Sequence, residues 1–324
     1  IEEIEYGKVL KAAGDIKCRF RDAGHILGSA IIEVWADGQK IVFSGDLGNP
    51  PVPLLRPTEF ITEADYVVVE STYGDREHEK LDERKNLLED AIEDTVARGG
   101  TLMIPSFALE RTQELLYELN SLVENHRVPE VPVFIDSPLA IDATKIYGKY
   151  PEYYNKKAMY LIESGDQVFQ FPRLKFTYTA QESKGISDVP SPKIIIAGSG
   201  MSTGGRILHH ERRYLPDPNS SILFIGYQAA GTLGRRIFDG AKSVKIFGER
   251  VPVRCGVKAI GGYSAHADQK KLREWVEKIK DGGKLKKTFV VQGEEGPSLA
   301  LVQLLQDHLG IDAEAPMLGD IVKL

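Results

Sequence analysis

The sequence predicts an α/β protein in which a β-rich portion is interrupted by an inserted module of alternating helices and strands. Three observations carry this. Short strand-like runs broken by glycine fill the opening part of the chain. From about residue 80 the apolar residues change to helical spacing and alternate with short apolar runs. Segments rich in His, Asp and Glu lie on both sides of that module, so the two flanks are expected to belong to one domain.

Taken in order, residues 15–22, 30–36 and 40–44 read as strands, separated by Gly24, Gly28 and the Asp37-Gly38 turn. Residues 64–69 form another strand, ending at Glu70, and V-P-L-L-R-P (52–57) is irregular. Leu87, Leu88, Ala91, Ile92 and Val96 recur at helical spacing until Gly99 stops the helix. Residues 101–104 are a buried strand, and Leu109, Thr112, Leu115, Leu116, Leu119 and Leu122 mark the next helix. Residues 133–135, 194–197 and 222–225 are further apolar strands, each leaving into a polar or glycine-rich loop. Such alternation implies a parallel sheet flanked by helices. Residues 150–190 are rich in Tyr, Lys and Pro, lack periodicity, and predict no element. A strand near Val257 leads to Gly261-Gly262, followed by a helix at 268–280, a strand at 288–291 and a helix at 297–309. The expected division is an inserted α/β domain at 76–256 within a domain made of 1–75 and 257–324.

The length of 324 residues suits two domains, and 42% hydrophobic with 27% charged residues is ordinary for a globular protein. No apolar run approaches the ~20 residues a membrane helix needs. A net charge of −6 argues against non-specific coating of nucleic acid but leaves room for a nuclease, whose phosphate contacts are confined to one groove. Cys18 and Cys255 sit in no C-x-x-C pattern and read as buried free thiols of a reducing compartment, so the expected location is the cytoplasm.

His25, flanked by glycines in D-A-G-H-I-L-G-S-A (22–30), is aimed out of a turn between two strands. Asp46 lies in F-S-G-D-L-G (43–48) at the end of an apolar strand, where alone it reads as a turn or cap residue. Together they make an imidazole–carboxylate pair suited to zinc, and one carboxylate can bridge two ions. Glu70 ends Y-V-V-V-E, where a buried carboxylate is costly unless paired. His266, in G-Y-S-A-H-A-D (262–268), is its natural partner, because a carboxylate can orient an imidazole and hold its proton; its plainer reading is a neighbour of the helix cap.

Three loops look phosphate-directed: P-S-F-A-L-E-R with Ser106 and Arg111, G-S-G-M-S-T-G-G-R with Ser199, Gly200, Ser202 and Gly204, and G-Y-Q-A-A-G-T-L-G-R-R with Thr232 and Arg235. Each sets small residues and hydroxyls near a helix start, where free N–H groups favour anions, at strand ends that form the usual ligand crevice of a parallel sheet. None is a P-loop. His209 and His210, beside Glu211, Arg212 and Arg213, read as a solvated helix face, and His78, His126 and His308 receive no role.

Together, D-A-G-H-I-L-G-S-A, S-G-D-L-G, V-E-S-T-Y-G and Y-S-A-H-A-D resemble the β-CASP branch of the metallo-β-lactamase superfamily, along essentially the whole chain. G-S-G-M-S-T-G-G and G-Y-Q-A-A-G-T-L-G-R look like its RNA-processing members, which include the polyadenylation-factor nuclease and RNase J. The resemblance implies an αββα metallo-β-lactamase sandwich, incomplete at its N-terminus, with an inserted β-CASP domain. By position it implies that His25 is a zinc-binding histidine, Asp46 a bridging aspartate, and Glu70 and His266 the acid and histidine of the first two β-CASP motifs. Two departures stand out. The His-x-His-x-Asp-His segment is not in this chain, and V-V-Q-G-E-E carries Gln292 where the third β-CASP motif has a histidine ligand.

What the resemblance implies is a zinc-dependent ribonuclease acting on single-stranded RNA. Asp46, Glu70 and His266 are expected to be catalytic, and His25 and Asp46 to hold metal. A complete site would carry two zincs. This chain, read as an N-terminally truncated and inactive fragment, is expected to hold zinc weakly or not at all. A separate N-terminal piece and a homodimer are the further partners considered. The rival readings are a catalytically silent RNA-binding relative and a metallohydrolase of small molecules.

Overall fold

The computed structural model describes residues 3–79 and 81–324. The chain forms two compact units, one comprising the residues up to His78 together with Ala265–Leu324, the other Glu79–Ser264. The first two residues of the expected opening segment lie outside the described residues.

The first unit opens with β1 (Val9–Ala13), β2 (Ile16–Asp22), β3 (Ala30–Ala36) and β4 (Gln39–Phe43), an antiparallel meander, followed by β5 (Tyr66–Glu70), parallel to β4. Asp37 and Gly38 both have positive φ, 49° and 77°, which matches the twist of the β3–β4 hairpin they join.

The second unit alternates in chain order: α1 (Leu81–Ala97), β6 (Thr101–Pro105), α2 (Arg111–Glu124), β7 (Val133–Ile135), α3 (Pro138–Tyr147), α4 (Lys156–Glu163), β8 (Leu174–Phe176), α5 (Ala180–Gly185), β9 (Lys193–Ala197), α6 (Ile207–Tyr214), β10 (Ser221–Phe224), α7 (Leu233–Phe238), a hairpin of β11 (Ser243–Ile246) and β12 (Glu249–Pro252), and β13 (Gly256–Ala259). Its six-stranded sheet runs β13-β10-β6-β9-β7-β8 with every pair parallel. The inner strands β6, β7, β9 and β10 are buried throughout, as a sheet covered on both faces requires. Leu115, Leu119 and Leu122 of α2 pack on one core of this unit, and Ile207 and Tyr214 of α6 on another.

The chain returns to the first unit through α8 (Gln269–Lys280), β14 (Lys287–Val291), α9 (Glu295–Leu309) and β15 (Ala313–Glu314), completing a seven-stranded sheet, β1-β2-β3-β4-β5-β14-β15. Asp268 caps α8, which buries Leu272, Trp275, Val276 and Ile279, one helical face, against Ile31, Val42, Val67 and Val69 of the strands. Burying each such side chain contributes roughly 1.5–3 kcal/mol, so this face holds the returning segment on the sheet.

The expected return at 257 falls later. β13 pairs in parallel with β10, so the inserted sheet runs to Ala259, and residues 260–264 stay in the same unit. Residues 150–190, where periodicity predicted nothing, hold α4, β8 and α5, each no longer than eight residues. Both cysteines are free and buried, and burial pushes the Cys255 thiol up to about 12. Among the described residues no helix is long and apolar enough to cross a membrane.

Candidate metal centre

The His25 loop is built by a local turn. The buried Asp22 carboxylate, at the end of β2, accepts from the Gly24 amide at 2.8 Å, and burial raises its pKa. Gly24 has φ +63° and Gly48 donates its amide to Ala23 O at 2.8 Å. A Cβ on Gly48 would lie 2.1 Å from the Gly24 carbonyl oxygen, so only glycine lets the two loops touch. The Ser29 hydroxyl accepts from the amides of His25 and Ile26 at 3.2 Å each. Ser44, after β4, donates its amide to Val68 O and accepts from the Glu70 amide at 3.0 Å, which ties the Asp46 loop to the end of β5. The result sets His25 Nε2 3.7 Å from Asp46 Oδ2.

Glu70 is 1% exposed. Its burial is offset by the Leu47 amide, donating to Oε1 at 2.6 Å, and by His266 Nδ1, 3.0 Å from Oε2 and 3.2 Å from Oε1. The His266 segment is held on the same loop, with Ala267 donating its amide to Leu47 O at 2.8 Å and Gly48 and His266 forming a β-bridge. Asp268 accepts from the amides of Lys271 at 3.0 Å and His78 at 3.2 Å. Burial would raise its pKa, but these bonds and the Lys271 ammonium outweigh that and hold the carboxyl low. The His78 ring reaches the His266 carbonyl, 3.2 Å from Nε2.

The structure therefore brings His25, Asp46, Glu70 and His266 together inside one unit. Ligand atoms of His25, Asp46 and His266 all lie within 4.8 Å of one another, and the His25 and His266 ring centroids are 4.4 Å apart. Gln292, following β14 with φ +66°, joins them, its amide donating to Asp46 Oδ1 at 2.5 Å. Donors on a four-coordinate zinc sit roughly 3.3–3.5 Å apart, since each bond is about 2 Å. The 3.7 Å between His25 Nε2 and Asp46 Oδ2 is close to that spacing, and imidazole with carboxylate is a donor set zinc accepts. These residues fit a divalent ion.

The three loops expected to face phosphate leave the C-terminal ends of β6, β9 and β10, three neighbouring strands. Several of their residues are engaged internally. The Ser106 hydroxyl, buried, bonds Thr112 Oγ1 at 3.0 Å. Ser199 donates its amide to Gly204 O at 3.0 Å and accepts from the Thr203 amide at 2.9 Å. The Gly200 carbonyl accepts from Gln228 Nε2 at 3.0 Å. The buried Ser202 hydroxyl donates to Glu211, and burial pushes that carboxyl up to about 7. Thr232 caps α7, and Arg235 donates to Asp239 at 2.9 Å. Arg111 corrects its expectation: it is 5% exposed, its guanidinium given to Glu114 and the Tyr263 carbonyl, so it is an interior ion pair and not a cation facing a ligand.

His210 also departs from the solvated helix face expected of it. It is buried, with Nε2 2.7 Å from Asp136 Oδ2. Asp136 accepts in addition from Thr177 Oγ1 at 2.7 Å, Ser183 Oγ at 2.6 Å and Arg206 at 2.8 Å. Burial opposes ionisation there, but these four donors bring the pKa down to about 2. The signal in the sequence is D-S-P after an apolar strand, an aspartate at a helix start that the motif reading passed over.

Comparison with known proteins follows the same lines. A family described as the Beta-Casp domain matches residues 112–237, and a Zn-dependent metallo-hydrolase RNA specificity domain matches residues 250–316. Ribonuclease TTHA0252 of Thermus thermophilus is 37% identical over 94% of this chain and 69% of its own length. An RNase J-like protein of Methanocaldococcus jannaschii is 34% identical over 100% of this chain and 75% of its own. Transcription termination factor FttA of Thermococcus kodakarensis is 33% identical over 99% of this chain, which spans 51% of that relative. A solved protein of unknown function from Enterococcus faecalis shares the fold, with TM-score 0.52 at 10% identity over 99% of this chain and 66% of its own. Motifs, fold and relatives agree: the chain belongs to the β-CASP branch of the metallo-β-lactamase-fold RNA nucleases.

Proposed function

We propose that the protein is a zinc-dependent ribonuclease that hydrolyses phosphodiester bonds of single-stranded RNA at the His25–Asp46–Glu70–His266 cluster. The observation that carries this reading is the Glu70–His266 contact, 3.0 Å, beside the His25–Asp46 pair. His25 and Asp46 would hold the metal, with Gln292 on the other Asp46 oxygen. Bound there, a divalent ion supplies Lewis-acid stabilisation of phosphoryl charge and a water of lowered pKa. Glu70 fixes His266 Nδ1 as a donor and stabilises the imidazolium, leaving the other ring nitrogen to exchange a proton. His266 then delivers that proton to the departing oxygen. Asp22, Ser44 and Gly48 position these groups and touch no reacting atom. Two free, buried cysteines support a reducing, cytoplasmic setting as part of this reading.

Gln292 favours the rival of a silent RNA binder, because an amide replaces the histidine that the family pattern carries. One assay separates the two. End-labelled, unstructured RNA is incubated with the zinc-loaded protein, with and without chelator. Chelator-sensitive cleavage supports the nuclease; RNA bound but uncut under all conditions supports the silent relative.

A further inference from the structure

On the second unit, α5, the turn after it and α6 enclose a concavity of 610 Å³ lined by Ser183, Lys184, Arg206, His209, Arg212 and Arg213, with Ser187 at its edge. That size is within the range of ligand sites, which usually run about 300–1,000 Å³, but the lining is cationic and hydroxylic where most such sites are apolar. Arg206 is fixed from behind, donating to Asp136 at 2.8 Å, Thr177 O at 3.0 Å and Tyr178 O at 2.6 Å. Arg213 meets the Ser187 carbonyl at 3.4 Å, and among the described residues neither Lys184 nor Arg213 stands in an ion pair. Arg212 meets Glu249 at 3.4 Å, an exposed pair that a phosphate can displace.

A second observation lies at the rim. Phe247, at the tip of the β11–β12 hairpin, is 52% exposed with φ +49°. Its ring centroid is 4.7 Å from that of His209, tilted 35°, and His209 lines the concavity. A cationic groove edged by an exposed aromatic pair is what binding of single-stranded nucleic acid uses: the cations follow the backbone and the ring stacks a base. A site for inorganic anions alone needs no such ring.

We propose that this concavity is a second RNA-contact site, in which Lys184, Arg212 and Arg213 hold backbone phosphates and Phe247 with His209 stacks an unpaired base. The proposal rests on the RNA-nuclease reading above. It adds a contact made by Lys184 on α5, His209, Arg212 and Arg213 on α6 and Phe247 on the β11–β12 hairpin, none of which belongs to the metal centre or to the loops that follow β6, β9 and β10.

The test is anisotropy of a labelled, unstructured 20-nucleotide RNA, titrated at several salt concentrations with chelator present so that the strand stays intact. K184E/R213E is expected to weaken binding at least tenfold and to flatten the dependence of log Kd on log salt by about 1.4, two phosphates at about 0.7 each. F247A is expected to weaken binding about tenfold with the slope unchanged. K184R/R213K is expected to bind like the unaltered protein, and thermal melts check that each variant is folded. Unaltered Kd and slope in K184E/R213E, in a protein that binds and cleaves RNA normally, overturn this site and leave the nuclease reading standing. Failure of the unaltered protein to bind RNA at any salt overturns both. Loss of tripolyphosphate binding in K184E/R213E with RNA binding intact assigns the concavity to free polyphosphate and overturns the RNA occupant.

Discussion

Glu70 and His266, 196 positions apart, meet as a buried carboxylate and a half-buried imidazole, with His266 Nδ1 3.0 Å from Glu70 Oε2. The carboxylate is held on its other side by the Leu47 amide at 2.6 Å, so its direction is set by backbone and does not depend on the histidine. Glu70→Gln keeps the volume and an acceptor for Leu47 but removes the charge that stabilises an imidazolium. The expected result is a fall in RNA cleavage of about 10- to 100-fold with little change in melting temperature. Cleavage at the unaltered rate would remove Glu70 from the mechanism.

Gln292 touches Asp46 through its amide and sits at φ +66°, a region that histidine tolerates better than most residues. Gln292→His therefore fits the backbone and adds an imidazole next to the Asp46 carboxylate. Zinc affinity, followed by competition with a chromophoric chelator, is expected to rise about tenfold. Equal affinity in the two proteins would mean that position 292 lies outside metal reach.

Glu211 carries a pH signature. Its carboxyl is pushed up to about 7 in the folded protein against 4.5 ordinarily, because burial disfavours the charged form and the bond donated by the Ser202 hydroxyl offsets only part of that. Folding thus keeps a proton that the unfolded chain releases. The associated stability is fully present below 4.5 and is lost as pH rises through 7. Glu211→Gln should gain on the order of 3 kcal/mol relative to the unaltered protein between pH 4.5 and pH 8. Denaturant titrations at the two pH values measure this, and parallel pH profiles would refute it.

Asp136 has the opposite sign. Its pKa of about 2 means stability present above 3.8 and lost as pH falls through 2. Asp136→Asn leaves Arg206 and His210 beside a neutral amide, and removing one partner of a buried pair costs about 3–5 kcal/mol. A thermal melt should drop clearly. An unchanged melt would mean that the network contributes nothing to holding α6.

Strands β2 to β7, β9, β10, β13 and β14 are legible because most are apolar runs ended by a turn residue; β1 and β15, at the two edges of the seven-stranded sheet, carry no such run. The hairpin of β11 and β12 was missed although Phe247-Gly248, both with positive φ, is a hairpin turn. α4 and β8 were missed because elements of eight and three residues show no period. At the candidate site, His25, Asp46, Glu70 and His266 stood out because each sits where a strand or turn aims a polar side chain. Arg111 did not read correctly, since its partner, the Tyr263 carbonyl, is 152 positions away, and no local pattern distinguishes a buried guanidinium from an exposed one. The same holds for His210, whose neighbours on α6 are charged while its own face turns to Asp136.

The most direct test of the central claim measures zinc content and RNA cleavage together in Asp46→Ala and His266→Ala. The roles assigned here require Asp46→Ala to lose both metal and cleavage, and His266→Ala to keep most of its metal while cleavage falls at least 100-fold. Full zinc occupancy with undiminished cleavage in Asp46→Ala would contradict the account.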